Sequence, residues 1–95
     1  MPISQAEIAT PLASRYLQQL CKHFAHKLPV TFDPRQGRIE FDAGTCELAA
    51  TADLLTLRVA AADAEALAQL EQVVARHLER FAFREQPQVA WAPPA

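Results

Sequence analysis

The stretch VTFDPRQGRIEFDAGTCELAATADLLTLRV, residues 30–59, decides the architecture. Apolar side chains recur there at alternate positions: Val30 and Phe32, Ile39 and Phe41, Cys46, Leu48 and Ala50, then Leu55, Leu57 and Val59. A period of two belongs to a strand with one covered face and one wet face. The runs are separated by Asp33–Gly37, Asp42–Gly44 and Thr51–Asp53, all short and rich in turn-forming residues. Breaks that brief join antiparallel neighbours, since a parallel return needs a crossover of about a dozen residues. The segment reads as a four-stranded antiparallel meander.

Upstream, Gln5–Ala9 alternates in the same way, with Ala6 and Ile8 on one side, and gives a short first strand. Thr10-Pro11 opens a helix: threonine can cap, and proline suits the first helical position. From Leu12 to about Lys27 the apolar residues Ala13, Leu17, Leu20, Cys21, Phe24 and Leu28 recur at steps of three and four, a single stripe. Pro29 helps to stop this helix. Downstream, Asp63 can cap a second helix running to about Phe83, with a stripe of Leu67, Leu70, Val73, Val74, Leu78 and Phe81. Pro87 ends that region, and Gln88–Ala92 reads as a sixth strand with Val89 and Trp91 facing one way. The order β-α-β-β-β-β-α-β predicts an α+β fold, a two-layer sandwich with both helices on one face of a mostly antiparallel sheet. The pattern leaves strand order open.

The 95 residues suit one domain, 1–95, able to bury a single core without staples. A formal charge of −2 argues against a nucleic-acid binder. No apolar run suits a signal peptide or a membrane span, so a cytoplasmic protein without membrane contact is expected. In that compartment Cys21 and Cys46 are expected to be free thiols. The chain shows no metal-ligand spacing, Gly-rich phosphate loop or nucleophile elbow, so neither a catalytic residue nor a cofactor is predicted.

Some residues do not fit a bland core. His77 falls inside the stripe of the second helix, between Val74 and Phe81, where an unpaired imidazole would cost about 1–3 kcal/mol. It is either hydrogen-bonded in the core or part of a site. On the first helix Tyr16, His23 and Lys27 share one flank of the stripe, while Arg15, Lys22 and His26 lie away from the core. Residues 21–27 form a basic helix end, read either as favourable pairing with the helix dipole or as an anion-binding edge. Cys46, Cys21 and His77 could converge between sheet and helices, and such a set can hold zinc. Arg76, Arg80 and Arg84 repeat every fourth residue, which reads first as a solvated flank. Phe83 must either turn under the C-terminal strand, against Trp91, or face a contact surface.

The runs QLCKHFAHK (19–27) and RHLERFAFRE (76–85), followed by Trp91, resemble a bacterial family of small domains of unknown function. The similarity extends through Gly37-Arg38-Ile39 and 44–48, so it covers nearly the whole chain. Members of that family stand alone or are joined to siderophore-interacting flavin reductases, and tend to be associated with iron-uptake genes. The resemblance therefore implies a role in iron or siderophore handling. Cys21, Lys22, His23, His26, Lys27, Cys46, His77, Arg80, Phe81 and Arg84 match its motifs, but no established role travels with them. The name of a dihydroxyheptenedioate aldolase, carried by some relatives, does not transfer. Known aldolases of that kind resemble (β/α)8 barrels, which need about 250 residues.

Two functional expectations result. The first is an accessory domain for a small anionic or iron-related ligand, with Tyr16, His23, Lys27, Cys46, His77, Arg80 and Arg84 as candidate binding residues. The second is an interaction or homodimerisation module using the exposed sheet face, through Thr31, Arg38, Glu40, Glu47, Thr56 and Arg58. An enzyme ranks third, because it would need a pocket pairing His77 with another titratable group.

Overall fold

The computed structural model describes residues 2–82 and 84–93. Seven elements follow one another: β1 (Ile3–Ala9), α1 (Ala13–Phe24), β2 (Val30–Phe32), β3 (Gln36–Phe41), β4 (Gly44–Ala50), β5 (Leu54–Ala61) and α2 (Ala64–Phe81). The strands form one sheet in the order β1-β5-β4-β3-β2, antiparallel throughout. The meander is thus as expected, and β1 is placed beside β5 on its outer side.

Register shows why one face is covered. Ser4, Val59, Cys46, Ile39 and Val30 are aligned across all the strands, as are Ala6, Leu57, Leu48, Gly37 and Phe32. Every one of these is buried or half-buried. The intervening row, Gln5, Arg58, Glu47, Arg38 and Thr31, faces the other way and is polar throughout. Both helices lie on the apolar side, α1 over β2–β5 and α2 over β5, β1 and β4. Leu17 and Leu20 of α1 and Leu78 of α2 are wholly enclosed against Leu55, Leu57 and Val59. Burying such a side chain contributes about 1.5–3 kcal/mol.

Turn chemistry sets the strand ends. Asp33 Oδ1 accepts from the backbone N–H of Arg35 and Gln36 at 2.7 and 2.8 Å, turning the chain between β2 and β3. Thr51 Oγ1 accepts from Leu54 N–H at 3.1 Å before β5. Gly44 starts β4 because of space, not dihedral freedom. A Cβ there would run into the carbonyl oxygen of Ala60 and lie 2.9 Å from Leu70 Cδ1.

Three expectations need correction. The first helix is Ala13–Phe24, shorter at both ends than Leu12–Lys27. No side chain caps it; the Thr10 hydroxyl accepts from Leu12 N–H at 3.0 Å and points elsewhere. At its C-terminal end Leu28 precedes Pro29, which disfavours helical dihedrals, and the chain leaves through a turn. The sixth strand shrinks to one bridge, in which Gln5 and Ala92 exchange backbone hydrogen bonds of 2.8 and 3.0 Å. Pro87 and Pro93 on either side cannot donate to a ladder. Asp63 does cap α2, its Oδ1 accepting from Ala66 N–H at 2.8 Å. α2 ends at Phe81, and the expectation for Phe83 lies outside the described residues.

Candidate functional site

Charge is distributed unevenly along the chain. Six of the nine lysines and arginines fall in residues 15–27 and 76–84, and the only acid in either segment is Glu79. The first segment spans most of α1 and the turn after it; the second is the C-terminal part of α2 and its exit. The fold packs these elements together on the same side of the sheet, so an acidic protein carries a basic ridge.

A groove of about 460 Å³ runs between the helices along this ridge. Arg15, Tyr16 and Gln19 of α1 line one wall, Arg80 and Phe81 of α2 the other, and Arg84 and Glu85 close one end beside Leu12. Tyr16 is only 4% exposed. Its hydroxyl donates a short hydrogen bond to Glu85 Oε1. The Thr10 hydroxyl also reaches this carboxylate, at 2.8 Å from Oε1 and 3.0 Å from Oε2. Burial first, and then the Glu85 carboxylate, push the Tyr16 phenol up to about 12. Tyrosine is therefore a fixed donor here. On the α1 wall, Gln19 Oε1 is buried without a hydrogen-bond partner among the described residues.

Past Arg80 a second cavity of about 310 Å³ is lined by Arg76, His77 and Arg80. His77 is half-buried, with Nδ1 2.7 Å from the Val73 carbonyl oxygen. A carbonyl only accepts, so Nδ1 carries the proton and Nε2 is the second, adaptable nitrogen. The His77 ring packs on His23 with centroids 4.8 Å apart and on Phe24 at 4.7 Å. His23 also meets the Phe81 edge at 5.9 Å. Burial, then the cations His77, His26, Arg80 and Lys27, hold the His23 imidazole below its usual range. Among the described residues, the side chains whose charge acts on it are basic.

Tyr16, His23, His77, Arg80 and Arg84 therefore converge on the outer seam between the helices, with Lys27 beside His23 in the turn after α1. His77 faces α1 more than the strands, since its ring contacts come from His23 and Phe24. Cys46 does not reach the groove. It is fully enclosed in β4, where burial and then Cys21 push its thiol upward. Burial likewise pushes Cys21 up to about 11. Both cysteines are free. The expected convergence of Cys21, Cys46 and His77 is not found: among the described residues, no three His, Cys, Asp or Glu side chains are grouped to hold a metal. Sequence reasoning missed Glu85, Thr10 and Gln19. A lone tyrosine on a stripe's edge, needing a partner for its hydroxyl, was the available signal.

These features define a two-layer α+β domain with a basic groove between helices that share one face of an antiparallel sheet. The chain belongs to the DUF2218 family, described as an uncharacterised protein conserved in bacteria, and matches it over residues 5–92. It is similar to PA4090 from Pseudomonas aeruginosa, whose structure was solved by NMR. The two are 39% identical, with a TM-score of 0.83 over 98% of this chain and 97% of the other. No curated protein matches the chain. No helix among the described residues is long and apolar enough to cross a membrane.

Proposed function

We propose that this domain binds a small anionic ligand in the groove between α1 and α2. One observation carries the reading: cations from both helices are gathered around a concave site in a chain whose net charge is −2. Arginines in such a site present planar forks matched to carboxylate or phosphate. A cleft of small-molecule size favours a small ligand over a nucleic-acid backbone, which would track a longer stripe. An anionic iron chelate is included in this ligand class, in keeping with the family resemblance. The proposal places the domain in the cytoplasm, where two unpaired thiols stay reduced.

Binding is favoured over thiol or phenol chemistry because those groups are held in unreactive forms. The thiols are buried with raised pKa, and the Tyr16 phenol is pushed up to about 12. The test is calorimetric titration with inorganic phosphate, citrate and ferric chelates of hydroxamate and catecholate type, on the wild type and on Arg80→Gln. Saturable binding that weakens at least roughly tenfold in Arg80→Gln supports the proposal. Equal binding by both proteins contradicts it.

A second reading uses the open sheet face. Arg58, Glu47 and Arg38 stand side by side there with alternating charge, and Arg38 Nη1 lies 3.5 Å from Glu47 Oε2. Such a face suits a polar protein contact. Light scattering showing one copy per particle at high concentration would remove its homodimer version.

A further inference from the structure

Building on the groove reading, we infer that the ligand is an elongated dianion with an anionic group at each end, held at two poles that share Arg80. The larger cavity has Arg15 and Arg84 beside Arg80; the smaller has Arg76 and His77 beside the same residue. Arg80 is thus the wall common to both. Arg76 and Arg80 are about 6 Å apart along the α2 axis, and Arg84 follows four residues later, past the end of the helix. A compact ion such as phosphate fills one pole and leaves the other unused. A chain with terminal carboxylates reaches both, its middle passing Phe81. The one-turn offset of about 6 Å between Arg76 and Arg80 sets the least span that such a chain must cover.

The poles differ chemically. At the Arg15/Arg84 pole the donors are permanent cations, and Glu85 accepts from Tyr16 and Thr10. At the other pole His77 has committed Nδ1–H to Val73, so it can donate to a carboxylate only when Nε2 is also protonated. Its surroundings are cationic: Arg76 and Arg80 from α2, and His23 from α1 with His26 and Lys27 behind it. An anion arriving there relieves that crowding.

The test is calorimetry with hexanoate, inorganic phosphate, succinate, adipate and suberate. Joining two anionic groups makes the second contact intramolecular, so adipate and suberate should bind at least roughly tenfold tighter than hexanoate. Succinate, too short for both poles, should behave like hexanoate. Arg76→Gln, an exposed change, should bring adipate down to the level of hexanoate. His77→Gln should do the same. If hexanoate or phosphate binds and the longer dicarboxylates bind no tighter, the two-pole inference is overturned and the groove proposal stands. If none of these anions binds at millimolar concentration, the two-pole inference falls, and the groove proposal falls with it only where citrate and the ferric chelates also fail to bind.

Discussion

Tyr16 allows a direct test of how the groove is held, because it is the only tyrosine in the chain. Tyr16→Phe removes one hydroxyl and the hydrogen bond it donates to Glu85. A hydrogen bond to a charged group contributes about 1.5–3 kcal/mol. Glu85 is exposed and keeps its bonds from Thr10 and access to water, so the lower end applies, about 1.5 kcal/mol. For a domain of this size, that corresponds to a fall in Tm of roughly 6–12 °C. Differential scanning calorimetry near neutral pH reads it. Absorbance near 295 nm gives an independent check: the folded protein should ionise its tyrosine at about 12, against ~10 in the unfolded chain. The folded state favours the protonated phenol, so this contribution to stability is complete below about pH 10 and is lost as pH rises through about 12. Wild type and Tyr16→Phe should therefore converge in stability across that window. A midpoint near 10 in the folded protein, with a Tm change under about 2 °C, would refute the Tyr16–Glu85 hydrogen bond.

Other consequences can be measured separately. Gly44→Ala drives a methyl group into the Ala60 carbonyl, an obstacle that belongs to the backbone, and should cost about 3 kcal/mol, read as a lowered urea midpoint. His23, whose imidazole is held below its usual range, favours the neutral form on folding; its contribution is intact above ~6.5 and is lost as pH falls through the lower folded value. His23→Gln should therefore lose less Tm than wild type between about pH 7 and pH 5. Cys21 and Cys46 should react with a thiol reagent only as fast as the protein unfolds, and rapid labelling of native protein would contradict their burial.

Alternation and stripes made the layers legible because they report burial, and burial here is one-sided. Strand order was not legible. The alternating residues of β1 say which side is covered, but not that the strand lies against β5. The C-terminal segment shows the same distinction. Val89 and Trp91 do pack half-buried against the core, as their alternation suggested, yet only Ala92 joins the ladder through Gln5. A period of two records which side chains are covered and is blind to backbone pairing between prolines.

The groove was legible only in fragments. Arg15 counted as pointing away from the core, which is correct, but that direction is also toward the cleft once α2 lies alongside. Tyr16 and Glu85 are 69 residues apart, and nothing in local spacing joins them. Cys46 was drawn into the site by its residue type, while its place in the covered row of β4 commits it to the interior.

Amide chemical-shift mapping during titration with adipate at about pH 6 probes the ligand site most directly. The largest shifts should fall on residues 15–23 and 76–85, and should vanish in Arg80→Gln. Shifts centred on Glu47, Thr56 and Arg58 of the open sheet face, or no shifts at millimolar ligand, would contradict a site between the helices.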